Sequence, residues 1–325
     1  KTDFTGEKEW SGVYGGKSDD YGWGITETKD NGFVIAGETF SYGNGQSDVY
    51  IVKVDSSGNK LWENTFGGIA EDVGYSIANT NDGGYLVASQ TKSYGKGGSD
   101  GMLIKFNSDG GKEWEKVYGG KGLDYFRSII SDSSNGFIIS GGTRSFSDGD
   151  SQAWVLCVDD NGYVKWNNTY GDNGEDGFNM VQQTINNGYI AVGHSSSFFS
   201  KGKNDVFMAR IDSLGNKIWQ SYIGGKEDDR GYAISQCSDG GYIITGETSS
   251  FGNGKNDILV IKTNSIGKQK WRKTFGGNGV DIGRSIKELP NGGFVLTGTS
   301  TISNLSFDAI MIKTDKSGKS GVYNK

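Results

Sequence analysis

Two rows of residues in this chain have the types and spacing for chemistry. The first is Trp23, Tyr75, Arg127, Asn179, Tyr232 and Arg284, which recur at intervals of 52 or 53 residues. Aromatic faces stack on sugar rings or apolar groups, and Arg forks clasp carboxylates. Brought to one mouth, such a set suits an acidic glycan or a peptide carboxylate; the competing reading is that these side chains only fill space between neighbouring repeats. The second row is Glu38, Gln90, Gly142, His194, Glu247 and Thr299, at the same interval, and His194 is the only histidine. A His with two Glu could form a metal or acid–base constellation. General acid–base work needs hydrogen-bond reach, however, and the three residues lie in repeats one, four and five. Only His194 and Glu247 are close enough in repeat order to meet. No catalytic residue is assigned, and His194 and Glu247 join the first row as candidate ligand-binding residues.

The elements that must position these rows follow from the tryptophans. Trp occurs at 10, 62, 114, 166, 219 and 271, with spacings of 52, 52, 52, 53 and 52. Ten residues beyond each stands an acid: Asp20, Asp72, Asp124, Asp176, Asp229 and Asp281. Within one unit a period-two pattern appears four times, which predicts four short strands A to D. In the second unit they read VGYSIANT, GGYLVASQT, DGMLIKFN and KEWEKVYGG. Tight turns join A to B and C to D, and the longer D–A and B–C loops share the opposite face. Sheets this short cannot bury both faces alone, so copies must stack. The chain opens on a lone D-like strand, TDFTGEKEWSGVYGG, and closes on a C-like strand, with Val322 at the Trp position. The expectation is an all-β, six-bladed β-propeller of four-stranded antiparallel blades, one domain over residues 1–325. Residues 1–16 would supply the outer strand of the last blade and close the ring, as in other closed propellers.

Composition agrees. There are 55 Gly, one Pro, 8 Trp, 16 Tyr and 16 Phe, the signature of many short strands and tight turns. A net charge of −6 leaves no basic footprint for nucleic acid. No apolar run is long enough to enter a membrane as a spanning helix. Cys157 and Cys237 fall on blades that are not neighbours and are expected as buried free thiols. The sequons at Asn167 and Asn304 hint at an extracellular or cell-surface setting.

The six repeated Asp are expected to accept backbone N–H bonds in the Gly-rich D–A loops, with calcium ligation as the sharper alternative; no other cofactor is expected. Lys53, Lys105, Arg210, Lys262 and Lys313 form a C-strand row in which Cys157 takes the third place, and their stems are expected to lie over aromatic neighbours. The B–C loops carry Tyr42, Tyr94, Phe146, Phe198, Phe199 and Phe251, which suit adaptable recognition.

The segment D-x-x-G-N-K-x-W, as in Asp55 to Trp62 and Asp212 to Trp219, resembles the turn and docking Trp of pyrroloquinoline-quinone-type (PQQ-like) propeller repeats. The wider order FGG, D, GGY, G, D, IVK is similar to bacterial and archaeal surface-protein repeats called SBBP-like. The resemblance implies the fold and leaves the chemistry open. From the quinoprotein enzymes the chain departs in having six units and no vicinal cysteine pair. The functional expectation is a binding or scaffold propeller, a monomeric ring or a module of a larger surface protein, whose D–A/B–C face recognises a glycan or protein partner. The alternatives are a polysaccharide lyase or hydrolase at the same mouth and a purely structural subunit of a surface assembly.

Overall fold

A computed structural model describes the chain except residues 4, 133–135, 198–201, 304–305 and 322–325; of 302, 303 and 306 it describes the backbone alone. Every regular element among the described residues is a β-strand. The strands form six sequential antiparallel sheets, each in chain order, and the fold class is the six-bladed β-propeller. In blade two the strands are Asp72–Asn79, Tyr85–Thr91, Asp100–Phe106 and Lys112–Tyr118, close to the expected segments. Five sheets have four strands. The sixth shows three among the described residues, Asp281–Glu288, Phe294–Ser303 and Ser306–Thr314. The docking-Trp position of that blade is Val322, outside the described residues.

The chain divides into two compact units, residues 1–148 with 156–165 and residues 149–155 with 166–325, and the division falls within blade three. In the first unit, Val34, Ala36, Val49 and Ile51 of blade one interlock with Ile77, Val87, Met102 and Ile104 of blade two. In the second, Ile190, Val192, Val206 and Met208 of blade four meet Ile234, Ile244, Leu259 and Ile261 of blade five. Each Val, Leu, Ile or Met side chain among them taken out of water contributes about 1.5–3 kcal/mol. A blade apolar on both faces can realise that only against a neighbour.

The tryptophan period has a single structural cause. Each D-strand indole lies on the glycine of the next blade's C–D turn: Trp10 on Gly58, Trp62 on Gly110, Trp114 on Gly162, Trp166 on Gly215, Trp219 on Gly267 and Trp271 on Gly318. These glycines have φ between 76° and 88°, a region closed to most L-residues, and an added Cβ would come within 3.0 Å of the indole. Asp55 shapes one such turn by accepting from the N–H groups of Ser57 and Asn59 at 2.8 and 2.9 Å. At the N-terminus Trp10 behaves as the others do. Its Nε1 donates to Ser56 O at 2.9 Å, its ring stands 6.2 Å from Phe33, and the Tyr14 hydroxyl donates to Gly58 O at 2.7 Å. Residues 8–14 therefore occupy a D-strand place beside blade one.

Candidate functional site

The first row of sequence candidates coincides with a backbone irregularity in every blade. In the A strand of blade one, Gly22 pairs with Gly37 and Gly24 with Ala36, so Trp23 has no partner across the ladder. The same one-residue bulge isolates Tyr75, Arg127, Asn179, Tyr232 and Arg284. A bulge re-aims the extra side chain and is a recurrent device beside functional sites. It also explains a glycine row on the facing B strand. An added Cβ at Gly37, Gly141, Gly193, Gly246 or Gly298 would sit 1.8–2.1 Å from a carbonyl of the bulged strand. Blade two has Ser89 there, its hydroxyl donating to Met102 O at 2.7 Å.

Within the first unit the structure brings Trp23, Tyr75 and Arg127 into one arc. The Trp23 and Tyr75 rings stand 6.0 Å apart, and the Arg127 guanidinium lies 3.7 Å over Tyr75 and 5.0 Å from Tyr125. Trp23 is 45% exposed and Tyr21 46%; the two stack at 6.1 Å, and the exposed Phe40 meets Tyr21 edge-on at 6.4 Å. The Trp23 Nε1 donates to Glu38 at 3.2 Å. Burial raises the Glu38 carboxyl above the usual range, opposed by the Trp23 hydrogen bond and by the charge of Arg127. The result is an aromatic surface with one carboxyl and one guanidinium at its margins.

Within the second unit Asn179, Tyr232 and Arg284 form the corresponding arc. Asn179 donates through Nδ2 to Gly231 O at 2.9 Å, and Arg284 lies 5.0 Å from the Tyr232 ring. The Tyr232 hydroxyl donates to Glu247 Oε1 at 2.6 Å, and Asn256 donates to Glu247 Oε2 at 2.9 Å. Burial first, then the Glu247 charge, pushes the Tyr232 hydroxyl up to about 12. Glu247 is thus engaged by its own blade. His194 is half-buried, paired in register with Gly177 and Val206. Among the described residues no group of three or more His, Cys, Asp or Glu is placed to hold a metal.

The repeated Asp row does what the loops require. Gly16, Gly68, Gly120, Asp172, Gly225 and Gly277 donate their N–H groups to the six carboxylates at 2.7–3.0 Å. Calcium at these oxygens would have to compete with those bonds. Sequence reasoning missed a second carboxylate row at the head of the C strands, Asp48, Asp100, Asp205 and Asp257, with Gln152 in the third blade. Gly67 is flanked by Asp48 and Asp72, and Gly119 by Asp100 and Asp124. Burial raises Asp48, and the neighbouring Asp72 charge adds to it. The signal was present in the sequence as an Asp just before most C strands.

The C-strand cations stand opposite the D-strand indoles, Lys53 with Trp62, Lys105 with Trp114, Arg210 with Trp219 and Lys262 with Trp271, and their heads reach acids and carbonyls at the turn face. Lys105, 3% exposed, bonds Asp82 and Glu113 at 2.8 Å each. Lys262 pairs with Asp239 at 2.7 Å, Lys53 with Asp30 at 3.2 Å, and Arg210 donates to the carbonyls of Ile211, Tyr189 and Asn187. The loop aromatics Tyr42, Tyr94 and Phe146 are exposed as expected, and some loop aromatics are tied to the scaffold. The Tyr42 and Tyr94 hydroxyls donate to Gly15 O and Gly67 O at 3.0 and 2.8 Å, and Phe251 lies under Arg272 at 3.3 Å. Phe198, Phe199 and the sequon at Asn304 lie outside the described residues. Asn167 is exposed, and its side-chain oxygen accepts from Trp154 Nε1. Cys157 and Cys237 are free and buried.

No family model matches the chain and no curated protein matches it. Solved structures do. A protein of unknown function from Dyadobacter fermentans is 12% identical over 92% of this chain and 96% of its own, with a TM-score of 0.58. One of unknown function from Bacteroides caccae is 12% identical over 88% and 91%, with a TM-score of 0.52. A glucose dehydrogenase is 10% identical over 91% and 97%, with a TM-score of 0.52. At such identities the likeness is one of fold.

Proposed function

We propose that this protein is a glycan-binding propeller whose bulged A-strand residues form its recognition surface, with an extracellular or cell-surface setting where glycans are displayed. The observation that carries this reading is the bulge row. The ladder is broken at the same place in all six blades, and the residue set free is the one whose identity changes from blade to blade. In the first unit the freed side chain joins an exposed aromatic set, Tyr21, Trp23 and Phe40. Large apolar side chains left in water in contact with one another mark a binding surface more often than a packing one. Their flat faces match the C–H face of a pyranose, while Glu38 and Arg127 can take its hydroxyls. A neutral scaffold would have no use for this exposure, since Trp23 buried between blades would contribute more to stability.

The test is a glycan array followed by titration of the best ligand against wild type and Trp23→Ala. Loss of the indole should weaken binding about tenfold to a hundredfold and leave the thermal midpoint within about 1 °C, because the ring is nearly half exposed. Unchanged affinity in Trp23→Ala overturns the reading. So does an empty array together with tight association to another protein chain.

A further inference from the structure

The bulge row repeats in halves as well as in sixths. Tyr75 then Arg127 in the first unit has its counterpart in Tyr232 then Arg284 in the second, three blades later. In each case the Arg of one blade projects over the Tyr of the blade before it, at 3.7 and 5.0 Å. Neither Arg127 nor Arg284 has a carboxylate within ion-pair distance among the described residues, although the chain carries 39 acids. The contrast with Lys105, Lys262 and Lys53, each paired with an acid, is internal to the same molecule. The second unit adds Arg230, whose Nε is buried without a hydrogen-bond partner and whose Nη2 stands 3.9 Å from Asp228. A guanidinium that lies near a tyrosine ring and is bound to no acid has its fork available to a bidentate carboxylate.

We infer that each compact unit carries its own carboxylate subsite, Tyr75–Arg127 in the first and Tyr232–Arg284 in the second, so that one chain binds two acidic sugar residues of the uronate class. This rests on the glycan reading above and deepens it. The two subsites differ in their neighbour: Trp23 stands beside the first, and Asn179, engaged with Gly231, beside the second. Only the first should therefore be visible in Trp23 fluorescence.

The experiment is isothermal titration calorimetry with short uronate oligomers, and in parallel with the matching neutral oligomers, alongside fluorescence corrected against Trp23→Phe. Wild type should take two equivalents of the acidic sugar. Arg127→Gln and Arg284→Gln should each leave one, the affected subsite weakening about tenfold to a hundredfold, and the double variant none. The Trp23 signal should vanish in Arg127→Gln and persist in Arg284→Gln. Should Arg127→Gln fold poorly, Arg127→Lys keeps the charge without the fork and should lose affinity at that subsite alone. A stoichiometry that stays at two in both Gln variants overturns the inference. Neutral oligomers binding as well as acidic ones, and still lost in Trp23→Ala, would overturn it while leaving the glycan reading intact.

Discussion

Replacing Asp176 by Asn isolates the cost of burying one member of the repeated carboxylate row. Asp176 is fully buried. Burial first, and then the nearby charges of Asp172 and Glu175, raise its carboxyl from 3.8 to about 7, against hydrogen bonds from Ser195 and the Asp172 N–H that favour the ionised form. Because the folded value lies above the unfolded one, the folded protein holds a proton that the unfolded chain releases. Stability from this group is therefore greatest below pH 3.8 and falls as pH rises to about 7, beyond which the penalty is constant. Three units correspond to about 4 kcal/mol as an upper bound, of which the interval from pH 5 to 7 holds about 2 kcal/mol. Asn is nearly isosteric, can accept from the Asp172 N–H, 3.0 Å away in the wild type, and can donate to Ser195. Urea denaturation at pH 5, 6, 7 and 8 should show wild type losing stability with rising pH and Asp176→Asn losing less. The variant should be the more stable protein at pH 8. A variant less stable than wild type at pH 8 by more than about 1 kcal/mol, or pH profiles that run parallel, would refute the reasoning.

Other outcomes follow from the blade contacts. Trp62→Ala should cost about 2 kcal/mol, less than the roughly 3–5 kcal/mol of a fully buried aromatic because the indole is only half-buried, and Gly110→Ala a similar amount through its φ of 84° and the 2.8 Å approach to that ring. Since both changes break one contact, the double variant should cost clearly less than the sum in a thermal double-mutant cycle. Deleting residues 1–16 removes the Trp10 and Tyr14 bonds to the Ser56–Gly58 turn and should lower the thermal midpoint; an unchanged midpoint would mean that the segment is not integral to blade one. The Cys157 and Cys237 thiols, pushed up to about 11 by burial, should resist a disulfide reagent at pH 7.5 in the native protein and react at once in guanidinium. Rapid native labelling would contradict their burial.

The repeat was legible because its causes are local in sequence. A C–D turn needs Asp and Gly at fixed places, and each strand declares itself by alternation. The Trp period, the strand order, the Asp bonds to loop N–H groups and the buried thiols all come from such patterns. The row at Trp23, Tyr75, Arg127, Asn179, Tyr232 and Arg284 was visible as a column of divergence. That each member is a bulge was not read, although the B-strand glycines facing it carried the signal.

What the amino-acid order settled by itself is the unit, since spacing and alternation act over a few residues and need no partner to be recognised. Tertiary structure alone decided which heads meet. Lys105 reaches Asp82 and Glu113, and Arg127 lies over a tyrosine 52 residues away. Such pairings depend on strand register and on how adjacent blades stack. Both are fixed by the summed burial of whole sheets, and no short stretch of sequence contains that sum.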